Sequence, residues 1–290
     1  MVNFNNPNRP RWPPRSTAAQ SWSVGYLSWA RRLAGLFASA MDLLAYFKTL
    51  GWREALPLFL LENLLVLGLA VAFGYLLQAA FGRRRALAAV YQPVSGQQLR
   101  YATYTLLLNT LITFAGFWLW RQGFITIREG VAYRLALDFV VLFLGMDLLM
   151  YVFHYAIHHS ALYGWVHGLH HEYTEPQPLD LFVLHPAETL GFGSLWLLLL
   201  ALYPATFGAI VAYLVANVVI GALGHSGVEP FPAAWARRPV LKYLGSSGFH
   251  FQHHQDERHN FGFYTSLWDR LFGTFVPGPL PKAHRPPATN

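Results

Sequence analysis

RLALDFVVLFLGMDLLMYVFHYAIHH, residues 134–159, begins as a run apolar enough to cross a bilayer and ends in histidines. Spanning the hydrocarbon core takes about 20 predominantly apolar residues, and 134–153 provides them. His154 and His158 follow one helical turn apart, so both imidazoles leave the same side of the helix. Twelve of the thirteen histidines lie between 154 and 259, and nine of them form spaced clusters where apolar segments end. These are His154 and His158; His167, His170 and His171; His225 in GHSG; and His250, His253 and His254. The pattern marks a metal centre at a membrane surface. In each H-x2-H-H triad the outer histidines are one turn apart and the middle one points to a neighbouring flank, so one short helix can reach two ions. Nine nitrogen donors are too many for one ion and suit two.

Composition agrees with a membrane location. The 290 residues are 54% hydrophobic and 12% charged, with mean hydropathy +0.30, well above the usual soluble domain. There is no cysteine, so a metal can be held only by imidazole nitrogen and by carboxylate or water oxygen. The net charge of +7 does not indicate nucleic acid, because the arginines are scattered around apolar spans. Membrane topology and anionic headgroups account for them better.

Three segments have spanning length: 57–80, 103–120 and 134–153. A fourth, 189–223, is long enough for two helices and is broken by Pro204, which predicts a hairpin, re-entrant or spanning, that returns to the side it left. Residues 1–25 read as a disordered cytosolic arm, and 26–47 as an amphipathic interfacial helix or an imperfect span. Arg83, Arg84, Arg85 and Arg100 follow the first clear span, whereas Arg121, Arg128 and Glu129 follow the next, so the first loop is expected to be cytoplasmic. Counting onward places all nine clustered histidines on that face. The expected fold is an all-α integral membrane protein with four to six membrane-embedded helices and a cytosolic helical cap.

Asp147 shares the stripe of His154 two turns away, and is expected to accept an N–H from a ligating imidazole and fix its tautomer. Asp138 reads instead as an intramembrane hydrogen-bonding residue. His159, His185, His259 and His284 read as ordinary core or interfacial histidines, although His185 is retained as an additional candidate ligand. A zinc hydrolase would want H-E-x-x-H, and the one H-E pair, His171-Glu172, is followed by Glu175 where that motif has histidine. Bis-histidine haem has no use for adjacent triads. A histidine-rich non-haem di-iron site remains.

The series DLLMYVFH at 147–154, LHHEYT at 169–174, HPAE at 185–188, GHSG at 224–227 and NFGFYTSLWDRLFGT at 260–274 resembles the fatty acid hydroxylase and sterol desaturase superfamily, with wording most similar to the sterol-oxidising branch. The resemblance covers 134–276 as a catalytic domain, between an N-terminal membrane region at 26–133 and a Pro-rich tail at 277–290. It implies a mushroom-shaped membrane enzyme with two iron ions, O2 as co-substrate, and hydroxylation or desaturation of a lipid C–H bond. Carried over by motif, His154, His158, His167, His170, His171, His225, His250, His253 and His254 are the iron ligands. Some relatives have another histidine four residues after the position of His225; here that place is Glu229, a further candidate ligand.

The substrate is expected to come from the bilayer, sterol or other polycyclic isoprenoid first and fatty-acyl lipid second. Tyr173–Pro186 and the stretch bearing Trp235, Arg237, Arg238 and Lys242 are candidate interfacial walls. With neither cysteine nor an HPGG haem motif, electrons are expected from a separate ferredoxin or cytochrome with its reductase, docking near Arg237, Arg238, Lys242 and Arg258. The preponderance of arginine over lysine suggests a bacterial plasma membrane with a cytoplasmic active site; in a eukaryote the endoplasmic reticulum would take its place. The alternative is a histidine-rich metal-binding or metal-transport protein without oxygenase activity. Transport calls for ionisable residues spread through several spans near the midplane, whereas these histidines concentrate at one surface.

Overall fold

A computed structural model describes residues 43–88, 93–128 and 132–279. The expected arm at 1–25, most of 26–47, Glu129, His284 and nearly all of the tail at 277–290 lie outside the described residues. The chain divides into two compact units, Met1–Thr49 and Leu50–Asn290. In the first, residues 43–49 are helical; the second carries everything that follows.

Five apolar helices make up the body of that second unit. They are α1 (Trp52–Arg85), α2 (Gly96–Arg121), α3 (Ala132–His158), α6 (Pro186–Leu202) and α7 (Phe207–Gly224). Four of them, α6 excepted, are long and apolar enough to cross a membrane. Two short turns, α4 (Tyr163–Val166) and α5 (Gly168–His171), precede α6, and α8 (Ser247–Gln255) and α9 (Leu267–Phe272) follow α7. Local chemistry sets the helix ends. Ser95 Oγ accepts the Gln98 N–H while Gln98 Oε1 accepts the Ser95 N–H, a reciprocal cap that starts α2. His185 Nδ1 accepts the Ala187 N–H and Pro186 takes the first helical position of α6. Arg83, Arg84 and Arg85 close α1, where cations complement the helix dipole.

Leucines 61, 64, 65, 69 and 76 of α1 are exposed, as lipid-facing side chains are. Lipid tails are as apolar as leucine, so helix association must come from close packing at small residues. Glycines provide it. A Cβ at Gly191 of α6 would lie 2.2 Å from Phe153 Cζ of α3, and one at Gly193 2.3 Å from Ile112 Cδ1 of α2. The main core joins Leu142, Met146 and Met150 of α3 to Leu200 of α6, Ala209, Ile210 and Tyr213 of α7, and Tyr264.

Contacts at the two helix ends establish which termini lie together. At one end, Arg121 at the close of α2 donates to Leu50 O before α1. There too β1 (Ile127–Arg128), after α2, pairs in parallel with β2 (Ala205–Thr206), between α6 and α7. Asp138 accepts from the Tyr203 hydroxyl and the Thr206 N–H beside this pair. The hairpin tip therefore reaches the level of the α2–α3 connection. Its helices, 17 and 18 residues long, extend about 26 Å each at about 1.5 Å per residue, close to the bilayer core thickness of about 30 Å. At the other end Arg85 donates to Phe231 O, Glu229 N donates to Arg85 O, and Gln98 Nε2 donates to Asp180 Oδ1. The C-termini of α1, α3 and α7 and the N-termini of α2 and α6 thus share one side, and the histidines are there.

Candidate metal centre

The nine clustered histidines form two groups. His154, His158, His167, His171 and His253 make one, and His170, His225, His250 and His254 the other; within each, the nitrogens lie within 4.8 Å of one another. Helix geometry explains the division. His167 and His171, one turn apart, face the first group while His170 between them faces the second. On α8, His250 and His254 face the second group and His253 the first. The two short triads thereby contribute to both groups, whereas α3 serves only the first and His225, capping α7, only the second.

The ring orientations carry the chemistry. Nε2 points inward and Nδ1 outward: His154 Nδ1 lies 2.9 Å from Phe261 O, His170 Nδ1 3.2 Å from Val183 O, His225 Nδ1 2.9 Å from Gly221 O and His253 Nδ1 2.7 Å from His259 O. A carbonyl only accepts, so each of these rings keeps its proton on Nδ1 and turns a bare Nε2 lone pair inward. Yet Nε2 of His154 and Nε2 of His253 approach to 3.1 Å, and those of His170 and His225 to 3.4 Å. Lone pairs facing each other at these distances repel unless a cation lies between them. Burial disfavours the alternative, a protonated ring: it lowers the pKa of His170 to about 4 and, with the His170 ring adding to the effect, that of His225 to about 3. Burial and neighbouring imidazoles likewise push His167, His171, His250, His253 and His254 well down. The donor set is therefore neutral imidazole, which fits transition-metal ions.

Three candidates from the sequence lie elsewhere. Asp147 is fully buried but accepts from Tyr264 N, Thr265 N and Thr265 Oγ1, not from an imidazole. Seven residues of helix, about 10 Å of rise, separate it from His154, which puts it a layer below the histidines. Glu229 accepts from Phe231 N and Gly248 N, so its carboxylate is engaged at the start of α8. His185 caps α6. None of the three belongs to either histidine group.

Among the described residues, the carboxylate within hydrogen-bond distance of a clustered histidine is Glu188, in the first turn of α6, with Oε1 2.7 Å from His167 Nδ1. The HPAE stretch contained it, and the signal was available: a histidine cap with proline at the first helical position announces a helix whose third residue is Glu188. The loop at 260–265 is a second missed element. Asp269 accepts from Phe261 N and Gly262 N, Asp147 holds Tyr264 and Thr265, and Asn260, at φ 63°, donates to Phe249 O and Val276 O. Together they present Phe261 O to His154. Beside the four-histidine group, a small pocket is lined by Ile220, Gly221, Gly224, His225, Gly245, Ser246, His250 and Phe263.

Residues 139–274 match the family described as fatty acid hydroxylase. Over 159 residues, 52% of this chain and 50% of the relative, the chain is 33% identical to a methylsterol monooxygenase of Aspergillus fumigatus. It is 29% identical over 129 residues, 44% of the chain and 34% of the relative, to the Delta(7)-sterol 5(6)-desaturase of Leptosphaeria maculans. A very-long-chain aldehyde decarbonylase of Oryza sativa is 35% identical over 131 residues, 44% of the chain and 48% of the relative. The chain spans a third to a half of the length of these relatives. No solved structure matches it. All nine clustered histidines lie in the stretch that matches the fatty acid hydroxylase family, and the chain is similar to relatives named for sterol oxidation.

Proposed function

We propose that this chain is a membrane-bound di-iron oxygenase that hydroxylates or desaturates a C–H bond of a bilayer lipid, a sterol or other polycyclic isoprenoid before a fatty-acyl chain. The observation that carries the reading is the set of inward Nε2 lone pairs locked by outward carbonyls, with pairs only 3.1 and 3.4 Å apart. His154, His158, His167, His171 and His253 would hold one iron, and His170, His225, His250 and His254 the other. Iron so held supplies, with O2 and electrons from a separate ferredoxin or cytochrome, the oxidising power to remove hydrogen from an unactivated carbon.

The chain's own residues position and enclose. Ile220 and Phe263 bring an apolar wall to His225 and His250, which suits a hydrocarbon carbon, and Gly221, Gly224 and Gly245 leave room at the same pocket. Burial of the histidines excludes water and competing hydrogen donors. The family and the names of its relatives support a lipid substrate, and the apolar helices support delivery from the membrane. A cytoplasmic orientation follows from Arg83, Arg84, Arg85 and Arg100 at the histidine end.

The test is metal content by mass spectrometry on protein purified in detergent, with oxygen consumption in the presence of a reductant and membrane lipid extract. Two iron ions per chain, lipid-dependent oxygen uptake and an oxidised product lipid are expected. Protein that binds no metal, or that binds iron and consumes no oxygen with any lipid fraction, would overturn the proposal.

A further inference from the structure

We infer that the two histidine positions are unequal, with Glu188 and Glu257 making the five-histidine position the tighter of the two and Glu188 its principal positioning residue. The inference rests on the metal-centre reading above and extends it to the roles of the two positions. Glu188 is fully buried, its Oε1 is 2.7 Å from His167 Nδ1, and its Oε2 has no hydrogen-bond partner. His167 Nε2 in turn lies 2.8 Å from His154 Nε2 and 3.0 Å from His171 Nε2, at the heart of the five-histidine group. A carboxylate that accepts an imidazole N–H strengthens the opposite nitrogen as a donor and fixes the ring's direction.

Glu257 repeats the arrangement at longer range. Its Oε1 is 3.7 Å from His171 Nδ1, an atom with no hydrogen-bond partner, and its Oε2 accepts the Tyr163 hydroxyl. Behind the four-histidine group, among the described residues, His170 and His225 meet the neutral carbonyls of Val183 and Gly221, and His254 Nδ1 has no partner. A cation on His167 Nε2 would hold the buried Glu188 as a carboxylate, whose charge is felt strongly in a dry interior. Glu257, with its side chain 42% exposed, adds less, so the affinities separate chiefly through Glu188. The pocket lies against His225 and His250, leaving the less tightly held position as the one open to an incoming ligand.

Titration of the metal-free, full-length protein in detergent with Co2+ alone, followed by visible absorption and metal counting, tests this without reference to turnover. Wild type should bind two ions in two resolved steps. Glu188→Gln, which retains an oxygen acceptor and removes the charge, should weaken the tighter step by about 10–100-fold and leave the weaker one in place. Glu188→Asp, which keeps the charge, should retain the tighter step, and His250→Ala should lose the weaker step alone. A single unresolved step in wild type, a wild-type tighter step unchanged in Glu188→Gln, or equal loss in Glu188→Gln and Glu188→Asp would overturn the inference while leaving the metal reading intact. Wild type that binds no Co2+ would remove both.

Discussion

At the scale of single residues, the centre depends on groups that touch no metal position. Asp269 is fully buried and accepts from Phe261 N, Gly262 N and Thr274 Oγ1. Replacing it with alanine strands two buried backbone donors, each costing about 1–3 kcal/mol, while the Thr274 hydroxyl keeps the Tyr151 hydroxyl as a partner. Asp269→Ala should therefore lose at least about 2 kcal/mol of stability and free the loop that sets Phe261 O behind His154, measured as a lower melting temperature and reduced metal retention. The histidines also make stability depend on pH. In the unfolded chain His170 and His225 titrate near 6.5, whereas burial holds them to about 4 and about 3 when folded. Between those values the unfolded state binds more protons, so falling pH favours unfolding. Metal-free protein should lose melting temperature steadily from about pH 6.5 to about pH 5. A flat or rising profile over that interval would contradict the burial of neutral imidazoles.

At the scale of elements, the metal-site geometry is inherited from the way α3 meets its neighbours. Phe153 immediately precedes His154 and lies against Gly191 of α6, its ring also edge-on to Phe192 at 5.1 Å. Gly191→Ala would place a methyl 2.2 Å from that ring and push α3 and α6 apart. Overpacking of this kind costs about 1–3 kcal/mol. A drop in melting temperature of that order is expected, and the outward movement of His154 should appear as metal loss in the five-histidine group first. The short elements behave differently. The triad at 167–171 lies on helical turns of four residues each, too short to hold themselves in water, so packing against α3, α6 and α8 must fix them.

At the scale of the whole molecule, the reading places Arg258 and Phe124 on opposite sides of the bilayer, because the histidine loops and the α2–α3 connection occupy opposite helix ends. Both side chains are exposed, and the chain has no cysteine of its own. Single cysteines introduced as Arg258→Cys and Phe124→Cys should react with a membrane-impermeant maleimide from opposite sides, Arg258→Cys only after the cytoplasmic face is opened. Labelling of both from one side of intact cells would refute the topology. Much of this was legible in the sequence: spanning runs such as 134–153, the break at Pro204 and the alternation within each H-x2-H-H triad are properties of neighbouring residues, which hydropathy and helical period report directly. The partners behind the rings were not, since His167 meets a carboxylate 21 positions away and His154 a carbonyl 107 positions away. The sequence alone thus established a membrane helix bundle with nine histidines gathered at one surface. Only the tertiary structure decided that five and four of them divide into two groups, and that Glu188 rather than Asp147 stands behind an imidazole, because such contacts arise from helix packing between distant segments and leave no local period to read.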